Sequence, residues 1–231
     1  RLNNFLGRRL LVKVEALQHT GSFKLRGATN AVWSLDDDVR HVVAFSSGNH
    51  AQGVARAVTT RGLKATIIMP EDTPATKIEG TKAYGADIVT YDRYTESREA
   101  IGEALSQKYN ANLIKPYDDV RVIAGQGTVG LEIARQASVM GVVPDALICC
   151  CGGGGLIAGT SIALHAHFPE TKIWCAEPEF YDDTKRSLET GMIERAQTDK
   201  SSICDAIVTP EPGQLTFPVN RQHLSGGAVV S

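Results

Sequence analysis

This chain has no block of basic residues: 24 lysines and arginines stand against 26 acids, a formal charge of −2. Nothing in it is arranged to neutralise a run of phosphates, so nucleic acid is not an expected partner. Its five cysteines, three of them consecutive at Cys149, Cys150 and Cys151, show no CxxC spacing. An odd count within an apolar run argues against a disulfide framework and for reduced, buried thiols in a reducing, cytoplasmic setting. Neither GxxxxGK[ST] nor GxSxG occurs, which removes a Walker-type nucleotide site and the nucleophile elbow of a hydrolase. Internal repeats, low-complexity tracts and Pro/Ser-rich linkers are missing too, so any second domain must be interleaved rather than appended. The chain opens on Arg1 and polar residues, with no visible secretory or transit signal. One charge-free stretch, Ala146 to Leu164, has the length of a membrane span. The four glycines at its centre argue against one, and no membrane partner is expected.

What is present is an alternation. The 231 residues, 42% hydrophobic and 22% charged, suffice for one large core or two smaller ones. Short β-branched or apolar runs at 10–15, 41–46, 65–70, 86–91, 111–116, 145–150 and 172–177 are each followed by a helix-like segment. That rhythm predicts an α/β fold on parallel sheet. Helix starts are signalled by Thr73 before Pro74, Thr95 before Glu96, and Asp118–Asp119 before "VRVIAGQGTVGLEIARQA". Pro210–Gly213 reads as a surface turn.

Three glycine-rich loops fall where ligands bind in such sheets, beyond the carboxyl ends of strands. In "CCCGGGGLIAGT", Gly152, Gly153, Gly154 and Gly155 follow a strand and open a helix. Their backbone N–H groups and the helix dipole suit an anion, so the loop reads as a phosphate cradle. Gly153, Gly155 and Ala158 also satisfy GxGxxA, with Glu177 about twenty residues on, so a dinucleotide-binding oxidoreductase is a rival reading. In "FSSGNHAQG", Ser46, Ser47 and Asn49 present small polar groups suited to a carboxylate or ring hydroxyl, unless Ser47 or Asn49 merely caps the helix. His50 beside them reads equally as a structural histidine. The third loop, "HTGSFKLRGA", sets Lys24 at a helix start, either as a solvated charge or as an amine held for chemistry. Glu177 and Asp183, six residues apart in "AEPEFYDD", suit Mg²⁺ or Ca²⁺, or else form an acidic solvated turn.

Taken together, "GSFKLRGA", "SSGNHAQG", "KPYDDVRVIAGQGTVGLEI", "CGGGGLIAG" and "AEPEFYDD" resemble, in this order and over essentially the whole chain, the fold-type-II pyridoxal-phosphate enzymes. The resemblance is to their threonine/serine dehydratase and serine racemase branch. It implies two interleaved open parallel-sheet domains, a small one over 41–118 and a large one from 1–40 with 119–231, and a cleft between them. It implies that Lys24 forms the Schiff base with the cofactor, that Phe23 packs beside the ring, that Asn49 bonds the ring 3′-oxygen and that Gly152–Gly155 hold the phosphate. Ser46, Ser47, Gly48, Asn49 and His50 would bind the substrate carboxylate, with Ser47 facing the opposite side of the substrate from Lys24. A cation, Mg²⁺ or Ca²⁺, would sit on Glu177, Asp183 and the Tyr181 carbonyl. The implied reaction converts L-threonine or L-serine to a 2-oxo acid and ammonia, with β-hydroxyaspartate dehydration or serine racemisation as alternatives. A homodimer is implied by analogy. The family's N-terminal strand and helix and a further C-terminal segment are not matched, so the chain resembles an internal portion of a longer enzyme. Tyr117 stands where some members carry asparagine, and "PYDD" leans toward the threonine dehydratases.

Overall fold

The computed structural model describes residues 2–231. Helices α1 (Leu2–Leu6) and α2 (Lys24–Trp33) precede a first sheet of β1 (His41–Phe45), β2 (Lys64–Pro70), β3 (Asp87–Tyr91) and β4 (Asn112–Leu113). Its connections are α3 (Asn49–Thr60), α4 (Ala75–Lys82) and α5 (Arg98–Tyr109). The long helix α6 (Val120–Val139) leads to a second sheet of β5 (Ala146–Cys150), β6 (Lys172–Pro178) and β7 (Gly226–Val230). There α7 (Gly155–His165) joins β5 to β6, while α8 (Asp183–Thr190) and α9 (Thr216–His223) lie between β6 and β7. Every pairing is parallel, in the orders β3-β2-β1-β4 and β5-β6-β7.

The first sheet is apolar on both faces, which is why its strands read as continuous hydrophobic runs. Val42, Ala44, Ile67 and Met69 pack with Val54 and Val58 of α3 and with Ala28, Ala31 and Val32 of α2. The alternate residues Val43, Phe45 and Ile68 pack with Ile101 and Leu105 of α5. Although α2 precedes the sheet in sequence, it is part of that core. It also abuts α6, where the Gly27 amide donates to Gln126 Oε1 at 3.2 Å. The second sheet packs Ile173 and Cys175 against Ile157 and Leu164 of α7 and Ala134 of α6.

Several local expectations are corrected. The run 10–15 pairs with no strand among the described residues. Local propensity makes it extended, but a strand needs a neighbour, and Lys13 and Glu15 instead form ion pairs with Glu132 and Arg26. Helix α5 starts after Ser97, whose Oγ accepts from Ala100 N at 3.2 Å, because Thr95 and Glu96 are folded into a turn on Asp92. Helix α4 starts after Pro74, not Thr73. Asp119 does cap α6, accepting from Arg121 N at 2.8 Å. Pro212 and Gly213 of the expected surface turn are buried. All five cysteines are free, with Cys151 and Cys175 buried, but strand alternation turns Cys150 to the other face, and it and Cys204 are exposed. The charge-free run is β5, the glycine loop and α7. No helix among the described residues is long and apolar enough to cross a membrane.

Candidate active site

Lys24 opens α2, and its Nζ donates to the Pro116 carbonyl at 2.7 Å, 5.3 Å from the Phe23 ring centroid. Desolvation lowers its pKa to about 8, partly offset by the nearby Cys150 sulfur. This is not a solvated surface charge. A half-buried amine whose pKa is lowered by desolvation can act as base or nucleophile near neutral pH. The lysine backbone is itself held by close packing: a Cβ at Gly53 would stand 3.2 Å from the Lys24 carbonyl. The last glycine of "SSGNHAQG" therefore lets α3 approach the start of α2.

The loop after β5 explains why four glycines stand in a row. A Cβ at Gly153 would drive into the Tyr117 ring, and one at Gly155 would lie 3.0 Å from Tyr117 Cβ. Gly154 has φ +88°, and a Cβ there would lie 2.5 Å from Asn220 Nδ2. One at Gly152 would lie 3.1 Å from Ile207. Every side-chain site is thus already occupied by a neighbour. Among the described residues, no protein acceptor takes the amides of Gly152–Gly154, and the first-turn amides of α7 have no partner within the helix. A cradle of bare amides at a helix N-terminus fits a phosphate, and with a desolvated lysine amine in the same site it fits a phosphorylated aldehyde cofactor.

In the loop after β1, Ser46 Oγ accepts from Gly48 N at 3.2 Å. The N-cap of α3 is Gly48, with no side-chain cap bond, so neither Ser47 nor Asn49 serves as the cap. Asn49 is exposed and Ser47 half-buried. His50 differs. It is 2% exposed, and its Nε2 donates to the Ile114 carbonyl at 3.1 Å. Burial, then the Lys24 charge, pushes its pKa down to about 3. The imidazole is a neutral core group, so a His50 contact with substrate is confined to its backbone.

Glu177 is 1% exposed and accepts from Thr184 N at 2.9 Å and Lys185 N at 2.8 Å, capping α8 with both oxygens. A ribose cannot be reached from there, which removes the acidic partner of the dinucleotide reading. Asp183 is equally buried, and burial followed by the Glu177 charge pushes its carboxyl up to about 7. Its Oδ2 has no partner. Tyr181 is buried, with its hydroxyl donating to Lys200 O at 2.7 Å. Two buried carboxylates with one orphaned oxygen fit a hard cation, although no cluster of three metal-ligating side chains exists among the described residues.

Several groups around the site carry no sequence signature. Pro116 acts through its carbonyl, and Thr216 Oγ1 donates to Gly153 O at 2.6 Å from helix α9. Arg98 lies over the Phe45 ring, 5.1 Å from its centroid, at the carboxyl edge of the first sheet. Burial raises the Tyr117 phenol pKa, and the Arg98 charge pulls it back. The "KPYDD" spacing is the one available signal for the Pro116–Tyr117 pair.

Comparison with known proteins accounts for this assembly. A family model described as pyridoxal-phosphate dependent enzyme matches residues 1–231. The chain is 43% identical to an L-threo-3-hydroxyaspartate ammonia-lyase of Pseudomonas sp, over 97% of this chain and 70% of that protein. It is 40% identical to a serine racemase of Dictyostelium discoideum, over 100% of this chain and 70% of that one. The crystal structure of a T.th. threonine deaminase matches 100% of this chain and 74% of its own with a TM-score of 0.93 and 46% identity. The chain belongs to the fold-type-II pyridoxal-phosphate dependent enzymes, and pyridoxal phosphate is its cofactor.

Proposed function

We propose that this enzyme eliminates the β-hydroxyl of a β-hydroxy amino acid, L-threonine or L-serine, as water, and that hydrolysis of the released enamine takes that water up again, so that the net products are a 2-oxo acid and ammonia. The observation that carries the reading is the desolvated Lys24 amine, hydrogen-bonded to Pro116 in a site backed by a glycine cradle. Gly152–Gly155 and the N-terminus of α7 would hold the cofactor phosphate, Phe23 would pack beside the ring and Asn49 would face the 3′-oxygen. Bound pyridoxal phosphate supplies an electron sink for the charge left when a substrate loses its Cα proton. Lys24 Nζ takes that proton; with a pKa near 8 a fraction of it is unprotonated at neutral pH. The amides and hydroxyls of Ser46–His50 hold the substrate carboxylate and fix which Cα bond faces the lysine. Ser47 Oγ, from the other side, returns a proton to Cα when the outcome is racemisation. In this reading residues 41–118 are the small domain and 1–40 with 119–231 the large one, with α2 at the boundary, packed on the core of the first sheet and on α6, and narrowing of the cleft between them excludes water. A homodimer is part of the same reading, as is Mg²⁺ or Ca²⁺ on Glu177, Asp183 and the Tyr181 carbonyl, where the orphaned Asp183 oxygen supports it.

A second substrate reading has its own support. Arg98, a cation at the carboxyl edge of the first sheet, suits a second carboxylate such as that of 3-hydroxyaspartate. Steady-state rates on L-threonine, L-serine and L-threo-3-hydroxyaspartate separate the two readings by which kcat/KM is highest. For the common chemistry, the purified protein should show the cofactor's visible absorption band and lose it on borohydride reduction. Lys24→Ala should abolish that band and cut turnover by roughly 10³-fold or more, while phosphate binding persists. Normal turnover in Lys24→Ala would sink the assignment.

A further inference from the structure

We propose that residues 114–118 form a ruler fixing the distance between the Lys24 amine and the phosphate cradle, and that Asp118 is the positioning residue at its cradle end. The proposal rests on the cofactor-site reading of Lys24 and Gly152–Gly155. Along this short segment, successive residues are tied to different parts of the site. Ile114 O accepts from His50 on α3, and Pro116 O accepts from Lys24 on α2. The Tyr117 ring fills the space over Gly153, and its Cβ and backbone fill the space over Gly155. Asp118 Oδ1 accepts from Leu215 N at 2.7 Å, immediately before α9. The same oxygen stands where a Cβ of Gly213 would go.

Helix α9 carries the restraint on to the cradle. Thr216 Oγ1 donates to Gly153 O at 2.6 Å, Gly213 N donates to the same carbonyl at 3.2 Å, and Asn220 Nδ2 donates to Gly154 O at 3.5 Å. Thr216 and Asn220 are fully buried, so these bonds are not traded for water. From Pro116 to Asp118 is two residues, a span of at most about 7 Å. A ligand carrying both an aldehyde for the lysine and a phosphate for the cradle gains from both ends only when their separation is held in advance. A ligand with the aldehyde alone needs no such registry.

The contrast supplies the test. Wild type, Asp118→Ala and Asp118→Asn are titrated with pyridoxal phosphate and with pyridoxal, which lacks the phosphate, following absorbance; melting is recorded in parallel. Asp118→Ala should bind pyridoxal phosphate roughly tenfold more weakly and bind pyridoxal as wild type does. Asp118→Asn, which keeps an acceptor oxygen, should recover most of the loss. Adding Thr216→Val to Asp118→Ala should cost less than the sum of the two single changes, since both act through the Gly153 carbonyl. Unchanged pyridoxal phosphate affinity in Asp118→Ala, or parallel weakening of both ligands, would overturn the ruler. A wild type that binds pyridoxal phosphate no better than pyridoxal would instead overturn the cofactor-site reading beneath it.

Discussion

The loop after β1 and the loop after β5 both leave the carboxyl end of a parallel strand and both open a helix, yet they are built from opposite materials. Residues 46–49 carry small polar side chains, and Ser47 and Asn49 are committed to no helix cap. Residues 152–155 carry no side chains, and the space around them is filled by Tyr117, Ile207, Thr216 and Asn220. Side chains left uncommitted can change what is recognised or which face of a substrate is protonated. A backbone whose every side-chain position is already filled can only fit or fail to fit. The first loop should therefore tolerate substitution structurally while altering chemistry, and the second should tolerate almost nothing.

The harshest challenge to this contrast is Gly153→Ala. The added methyl meets the Tyr117 ring, which cannot retreat because Gly155 packs against the same residue. Overpacking together with displaced cradle amides should weaken pyridoxal phosphate on the order of 10³-fold and lower the melting temperature. Adding Tyr117→Ala should recover part of the stability. A Gly153→Ala protein with wild-type affinity would show that the cradle lies elsewhere.

This asymmetry also decides how much can be read in the sequence. The glycine run, Lys24 and the serine loop are legible because each is a contiguous stretch whose chemistry depends on its own residue types. The groups that hold them are not. Thr216 and Asn220 contact Gly153 and Gly154 from more than sixty positions away, with nothing in their local sequence to mark it. Pro116 contributes a carbonyl, which any residue has. The strands of the first sheet are legible as apolar runs because both faces are buried. The run at 10–15 looks the same and is not a strand, because pairing is a tertiary decision. Glu177 is open to two ligand readings in the sequence, whereas its oxygens first of all cap α8.

Ser47→Ala tests the first loop. The melting temperature should stay within about 1 °C of wild type, because a half-buried hydroxyl outside any cap has little to lose. Racemisation of serine should slow by roughly 10²-fold, the usual worth of a positioned proton donor. Elimination should fall much less, because in the proposed mechanism Lys24 alone starts it. Equal loss of both activities would give Ser47 a general positioning role and erase the division between the loops.

The smallest effect concerns what lies behind each loop. Cys151, directly before Gly152, donates its amide to Ala176 O at 2.9 Å, and its sulfur lies 3.4 Å from Thr184 Oγ1. Thr184 is held by Glu177 and follows Asp183, so the acidic pair backs the glycine loop and not the serine loop. Without a cation, two buried carboxylates repel. The Asp183 carboxyl is raised to about 7, so its contribution to stability is complete below its unfolded pKa and is lost as pH rises through about 7. A bound Mg²⁺ or Ca²⁺ removes the repulsion at neutral pH. At ten times its Kd the ion should raise the melting temperature by roughly 3–6 °C. Chelation should reverse that gain and weaken pyridoxal phosphate severalfold, while the ratio of racemisation to elimination, which the role proposed for Ser47 would set at the serine loop, stays put. Asp183→Asn relieves the repulsion permanently. In chelator it should therefore melt no lower than wild type, and it should gain nothing from added cation. Identical responses of the two proteins would mean that no cation acts through this pair, and the backing of the two loops would then differ only in packing.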